Sequence, residues 1–142
     1  LDAVLRAEAA AMEPLFAARG VALAVDVPGA LTAAPADAEQ LAQVARNLLD
    51  NALRHAAAAV TLRGFAEGGR VVFAVADDGP GVAREHIPRL TERFYRVDKA
   101  RGRGTGNTGL GLAIVKHIIA RHRGALSIDS EPGAGARFAV SL

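Results

Sequence analysis

The period of the apolar positions changes several times along the chain, and each change marks an element. Residues 3–19 set Val4, Leu15 and Phe16 among alanines, as a helix would, and Gly20 stands where a helix is usually stopped. Residues 21–27 then alternate like a strand. The clearest helix follows, with Asp37 as N-cap and Gln40 three residues on in the capping-box pattern. Its buried stripe is Leu41, Val44, Leu48 and Ala52, and it runs to about Ala57. Residues 59–65 and 70–76 read as two strands around Glu67-Gly68-Gly69, whose glycines allow a tight reversal.

The second of these strands stops at the turn-rich run Asp77-Asp78-Gly79-Pro80-Gly81, after which a short helix is expected over residues 84–93. Residues 97–108 are polar, basic and glycine-rich, and read as a loop that closes over something. A last helix is expected from about Gly109 to Arg123, basic in its last turn and stopped by Gly124. A hairpin of residues 125–130 and 137–142 around Pro132-Gly133 completes the pattern. Helices and strands mix without a repeating βαβ unit, which predicts an α+β domain.

Composition narrows the picture. A chain of 142 residues, 51% apolar, is long enough for one domain with a real core and short for two. The formal charge of +2 is small although the pI is high, so charge points neither to nucleic acid nor to a membrane surface. The basic run Arg96, Lys99, Arg101 and Arg103 has only Phe94 and Tyr95 near it and no nucleic-acid signature beside it. With no cysteine there is no disulfide framework, thiolate ligand or thiol nucleophile, and His55, His86, His117 and His122 lack zinc-ligand spacing. No apolar run approaches bilayer length, and the expectation is a soluble domain.

Three places carry candidate chemistry. In NLLDNALRH, Asn47, Asn51, Arg54 and His55 fall along one side of a helix. Asparagine is a poor helix-interior residue, and a neutral oxygen for Mg²⁺ at Asn51, with Arg54 a turn away for phosphates, is one reason to place it there. A solvent-facing polar stripe is the competing reading. Asp77 meets Gly79-Pro80-Gly81 at a strand end, where glycines admit a flat ligand and the carboxylate can accept from an amine such as that of adenine; turn chemistry alone would also use these residues. In GTGNTGLGL, Thr108, Gly109, Leu110, Gly111 and Leu112 would present backbone amides at a helix N-terminus, an anion site. Gly104, Gly106 and Gly109 match a dinucleotide fingerprint, but no strand leads into them, and no Walker lysine follows.

Taken in order, NLLDNALRH, DDGPGV, ERFYR and GNTGLGLAIVK resemble the N, G1, F and G2 boxes of the sensor histidine kinase ATP-binding domain, in the superfamily of gyrase, Hsp90 and MutL. The resemblance spans nearly the whole chain and implies a single domain over residues 1–142, a two-layer sandwich of the Bergerat type. A mixed, largely antiparallel sheet would be covered on one face by about three helices, with a lid over about 94–108. It implies ATP and Mg²⁺ as ligands: Asn51 on the metal, Asn47 and Arg54 at the phosphates, His55 flanking the nucleotide and Asp77 on the adenine amine. Gly79 and Gly81 would let the base approach, Ile87, Leu90, Leu112 and Ile114 would line the pocket or the core around it, and Arg96 would reach the γ-phosphate.

The resemblance also implies an activity. The γ-phosphate would go to a histidine on the kinase's own dimerisation domain, absent here, in a two-component system with a response regulator. The domain would be cytoplasmic and monomeric by itself, its parent a homodimer that could be anchored in the inner membrane. Hydrolytic relatives carry a glutamate one turn before the metal asparagine; Asn47 stands there in this chain, which favours transfer over hydrolysis. Asn107 in place of a lid glycine and Ala136 in place of Ser or Thr depart from the family pattern. A non-catalytic nucleotide-responsive module is the alternative from another class, and the serine kinases of the anti-sigma branch are a more distant one.

Overall fold

The computed structural model describes residues 1–31, 35–95 and 110–142. The elements run α1 (Asp2–Ala18), β1 (Ala22–Asp26), α2 (Ala38–His55), β2 (Ala59–Glu67), β3 (Arg70–Asp77), α3 (Gly111–Arg121), β4 (Ala125–Ser130) and β5 (Ala136–Ser141). The strands form one sheet in the order β1-β2-β3-β5-β4. β1 runs parallel to β2, and β2–β3, β3–β5 and β4–β5 are antiparallel. α2 is the crossover that a parallel β1–β2 pair requires.

Side chains alternate across the sheet, and the apolar ones sort by face. Val60 and Leu62 of β2, Val71, Phe73 and Val75 of β3 and Phe138 and Val140 of β5 join one core with Leu5 and Phe16 of α1, Val44, Leu48 and Ala52 of α2 and Val115 and Ile119 of α3. Among the described residues, the buried cluster on the opposite face is small: Val72, Ala74 and Ala139, with Phe65 leaning on it and no helical residue. The two-layer α+β architecture with helices on one face is therefore as the sequence implies. β3, central in the sheet, is buried on both faces, which is why its sequence RVVFAVAD is nearly all apolar and does not alternate.

Local chemistry explains most boundaries. Asp37 caps α2 by accepting from the N–H groups of Glu39 at 3.0 Å and Gln40 at 3.1 Å. The N–H of Asp37 itself donates to His122 Nε2 at 3.1 Å, so a side chain at the end of α3 takes the part that Gln40 would play in a capping box. His122 Nδ1–H donates to Ile118 O at 2.9 Å, which leaves Nε2 as the acceptor. Gly68 and Gly69 turn the β2–β3 hairpin with φ of +57° and +76°.

Two expectations are corrected. Residues 84–93 form turns around a single 3-10 turn, Ile87–Arg89, and not a helix. Pro88 has no N–H to bond Arg84 O and its ring would clash with that carbonyl, so an α-helix begun at Arg84 cannot run through it; Pro88 stands instead in the first turn of the short 3-10 segment. Gly124 does not take the left-handed position that stops α3; Arg123 does, with φ +55°. Gly124 is needed for space, because a Cβ there would lie 2.5 Å from Ser141 O. No helix among the described residues is long and apolar enough to cross a membrane.

Candidate functional site

Strand alternation decides where Asp77 points. It shares parity with Phe73 and Val75, so it lies on the helix-covered face at the end of β3, and it is the one polar or charged residue buried among those described, 9% exposed. Its Oδ1 accepts the Gly79 N–H at 2.8 Å. Burial pushes the carboxyl above the usual carboxylate range, against the Gly79 N–H and the charge of His55, which favour the ionised form. A buried carboxylate in this position gains from any donor that reaches it.

The backbone packs tightly around it. A Cβ on Gly79 would lie 2.1 Å from His55 O and 2.8 Å from Asp77 Oδ1. Gly135, with φ +76°, leaves a Cβ only 2.0 Å from Asp77 O, and Gly81, with φ +72°, only 2.1 Å from Glu131 O. Asp78 fastens the turn behind α2, its Oδ1 accepting from the N–H groups of Ala57 at 2.9 Å and Ala58 at 3.0 Å. These bonds, that of Ala58 foremost, hold its carboxyl below the usual range. The DDG run thus has two jobs that the sequence shows only as a turn: Asp77 faces inward, and its neighbour ties the end of α2 to β3. Gly135 is a further site residue that sequence reasoning missed, because it is remote in sequence and its only signal is a Gly beside Pro132-Gly133.

α2 spans the distance between two ends of the site. At one end Asn47 Nδ2 donates to Gly111 O over a long 3.5 Å, where α3 begins. Eight residues on, His55 ends the helix close enough to Asp77 to feel its charge, about 12 Å away along the axis at 1.5 Å per residue. Packing around the His55 ring lowers its pKa although the residue is exposed at the surface; the Asp77 charge pulls it back up and Arg54 lowers it further. Asn51 lies between, partly buried. Arg54, expected at the phosphates, pairs with Asp50 Oδ2 at 2.8 Å, an i,i+4 partner legible in the sequence and not considered there.

α3 opens with Leu110 at its N-cap, which contributes no side-chain cap, and among the described residues no side chain caps the amides of the first turn. Among the described residues a Cβ on Gly111 would meet only Asn47 Cγ, at 3.9 Å. Leu112 and Leu90 pack against the main core, whereas Ile114 is 36% exposed. Ile87 lines a groove of about 440 Å³ with Pro88, Thr91, Lys116, Ile119 and Leu126. Arg96, Thr108, Gly109 and Asn107, with nearly all of the proposed lid, lie outside the described residues.

Residues 36–142 match the model of the histidine kinase-, DNA gyrase B-, and HSP90-like ATPases. The phosphate regulon sensor protein PhoR of Pseudomonas aeruginosa is 41% identical over 140 residues, which cover 97% of this chain and 31% of that protein. The sensor-like histidine kinase SenX3 of Mycolicibacterium smegmatis is 46% identical over 98 residues, 68% of this chain and 26% of that one. The chain therefore spans about a third or less of these relatives. Among solved structures, full-length ShkA in complex with AMPPNP superposes with a TM-score of 0.85 at 36% identity over 99% of this chain and 29% of its own. The catalytic domain of the histidine kinase ThkA, nucleotide-free, shares the fold with a TM-score of 0.86 at 18% identity, over 100% of this chain and 91% of its own.

Proposed function

Because the chain belongs to the histidine kinase-, DNA gyrase B-, and HSP90-like ATPase family, we propose that it binds Mg·ATP and serves the transfer of the γ-phosphate to a histidine on a dimerisation domain of the same kinase. The observation that carries this reading is the buried Asp77, set by three backbone-packed glycines and joined by α2 to the N-terminal end of α3. An acceptor for an exocyclic amine stands at one end of the helix and an anion site at the other, the two poles of a nucleoside triphosphate.

The residues divide the work accordingly. Asp77 accepts the adenine amine while the Gly79 N–H holds its other oxygen, and Gly79 and Gly81 bring the flat base close to the backbone. His55 flanks the nucleotide, and Asn47 and Arg54 support the phosphates, Arg54 sharing its guanidinium with Asp50. The amides of Leu110, Gly111 and Leu112, continued by Gly109 and Thr108, take phosphate oxygens, and Arg96 takes the γ-phosphate. Mg²⁺ suits the site because it needs few protein oxygens when phosphates and water supply the rest, and the neutral carboxamide of Asn51 is such an oxygen. When bound it neutralises phosphate charge. Asn47 cannot take a proton from water as a carboxylate would, so the phosphoryl group awaits an imidazole from outside the chain. The full kinase is a homodimer that passes the group on to a response regulator.

Calorimetric titration of Mg·ATP, followed by addition of a separately made dimerisation domain, tests the reading. Wild type binds and yields acid-labile phosphohistidine; Asp77→Ala abolishes binding; Asn51→Asp abolishes transfer. Binding without transfer to any cognate dimerisation domain would replace the reading with that of a regulatory module, and no binding would end both.

A further inference from the structure

His86, Arg89 and Glu92 gather around the one tyrosine of the chain. The Tyr95 hydroxyl hydrogen-bonds to His86 Nδ1, with the ring centroids 5.9 Å apart. The Arg89 guanidinium sits over the Tyr95 ring, 4.4 Å from its centroid, and its Nε reaches Glu92 Oε2 at 3.3 Å. Glu85 Oε1 lies 3.5 Å from His86 Nε2, which favours the proton on that nitrogen and leaves Nδ1 to accept from the phenol. Backbone bonds close the cluster, Tyr95 N–H to Glu92 O at 3.2 Å and Glu92 N–H to Arg89 O at 2.9 Å.

The cluster holds an unusual piece of backbone. Phe94 has φ +64°, a left-handed conformation that bulky residues rarely adopt, and its ring is 68% exposed, so packing of its own side chain does not impose that conformation. Phe94 is bracketed by the bond from Tyr95 N–H to Glu92 O, and both of those residues are held by side-chain contacts as well. The next residue is Arg96, whose role in the reading above is to meet the γ-phosphate.

We propose that His86 is a positioning residue for that reaction: by holding the Tyr95 hydroxyl it fixes the turn at Phe94, and with it the direction in which the chain sets out toward Arg96. Arg89 supports the same ring from its face. The inference rests on the γ-phosphate role of Arg96, and the experiment separates the two.

Affinities for Mg·ATP and Mg·ADP are measured by calorimetry on wild type and on His86→Ala, His86→Asn, Tyr95→Phe and Arg96→Ala. A contact to the γ-phosphate shows as a loss for ATP with no loss for ADP. Arg96→Ala is expected to weaken ATP by roughly tenfold, the scale of one charge-assisted hydrogen bond, and to leave ADP unchanged. His86→Ala and Tyr95→Phe follow it in part, while His86→Asn, whose carboxamide oxygen falls near the place of Nδ1, restores ATP binding. Tyr95 is the only tyrosine and there is no tryptophan, so intrinsic emission reports the hydroxyl contact directly: it rises in His86→Ala and returns in His86→Asn. If Arg96→Ala weakens ATP and His86→Ala does not although the emission has changed, positioning by His86 is refuted and the function of Arg96 stands. If Arg96→Ala leaves the two affinities in their wild-type ratio, the premise fails and the inference with it. If His86→Ala weakens ATP and ADP alike, the cluster is structural only.

Discussion

Gly79→Ala is the substitution that most directly tests how the Asp77 pocket is made. The new Cβ would lie 2.1 Å from His55 O, and non-bonded approach to a carbonyl oxygen needs about 1 Å more, so α2 and the end of β3 must move apart. Neither side yields cheaply: His55 O belongs to the last turn of a helix, and β3 is the central strand, paired on both sides. Gly79 has an ordinary φ, so the cost is crowding and not backbone strain. Overpacking of this kind costs about 1–3 kcal/mol. With a urea m-value of about 1–3 kcal/mol/M for a small domain, the unfolding midpoint should fall by roughly 1 M. The same displacement moves Asp77 Oδ1, only 2.8 Å from the added carbon, and a shift of this size can cost on the order of a hundredfold where geometry matters, so ATP affinity should fall at least tenfold. Gly29→Ala is the control, since a Cβ there meets nothing within 4 Å, and it should change neither quantity measurably. Wild-type midpoint and wild-type ATP affinity in Gly79→Ala would refute the claim that close backbone packing positions Asp77.

Two further outcomes follow from the same geometry. Leu48→Ala, at a position of α2 with 0% exposure in the main core, should cost about 2–5 kcal/mol in urea unfolding, and a loss under 1 kcal/mol would mean the core collapses around the gap. His55 has its pKa lowered from 6.5 in the folded chain, so folding favours the neutral ring: that contribution is full above 6.5 and is lost as the pH falls through 6.5 toward the lowered value. Stability of wild type relative to His55→Gln should therefore drop on acidification across this window, and equal pH profiles for the two would contradict the assignment.

The sequence made α2 legible because cap and stripe agree: Asp37 does cap it, and Leu41, Val44, Leu48 and Ala52 are all buried. Hairpins were legible for the same reason, two local signals meeting at Gly68-Gly69 or Pro132-Gly133. The parallel β1–β2 pair, the β3–β5 pairing and the packing of Gly135 against Asp77 were not, since each joins segments far apart whose only link is tertiary contact. Residues 84–93 hold only a 3-10 turn where a helix is expected, because Pro88 cannot supply the N–H that an α-helix from Arg84 needs at that position. At the site, the motifs singled out Asp77 and the α2 asparagines, and the i,i+4 spacing of Asp50 and Arg54 allows an ion pair, but spacing alone does not say that Arg54 takes this partner.

The pairing of Asp77 with Ala136 has a consequence for how the molecule comes into being. α1, α2 and the β2–β3 hairpin could assemble early from neighbouring segments, yet the acceptor carboxylate would then lack the strand that flanks it and the glycine that closes on its carbonyl. On the proposed role of Asp77, nucleotide would recognise only a chain whose β4–β5 hairpin has already docked, and its binding free energy would be withheld from every partly folded form. Ligand binding at this site would then act as an inspection of finished folding.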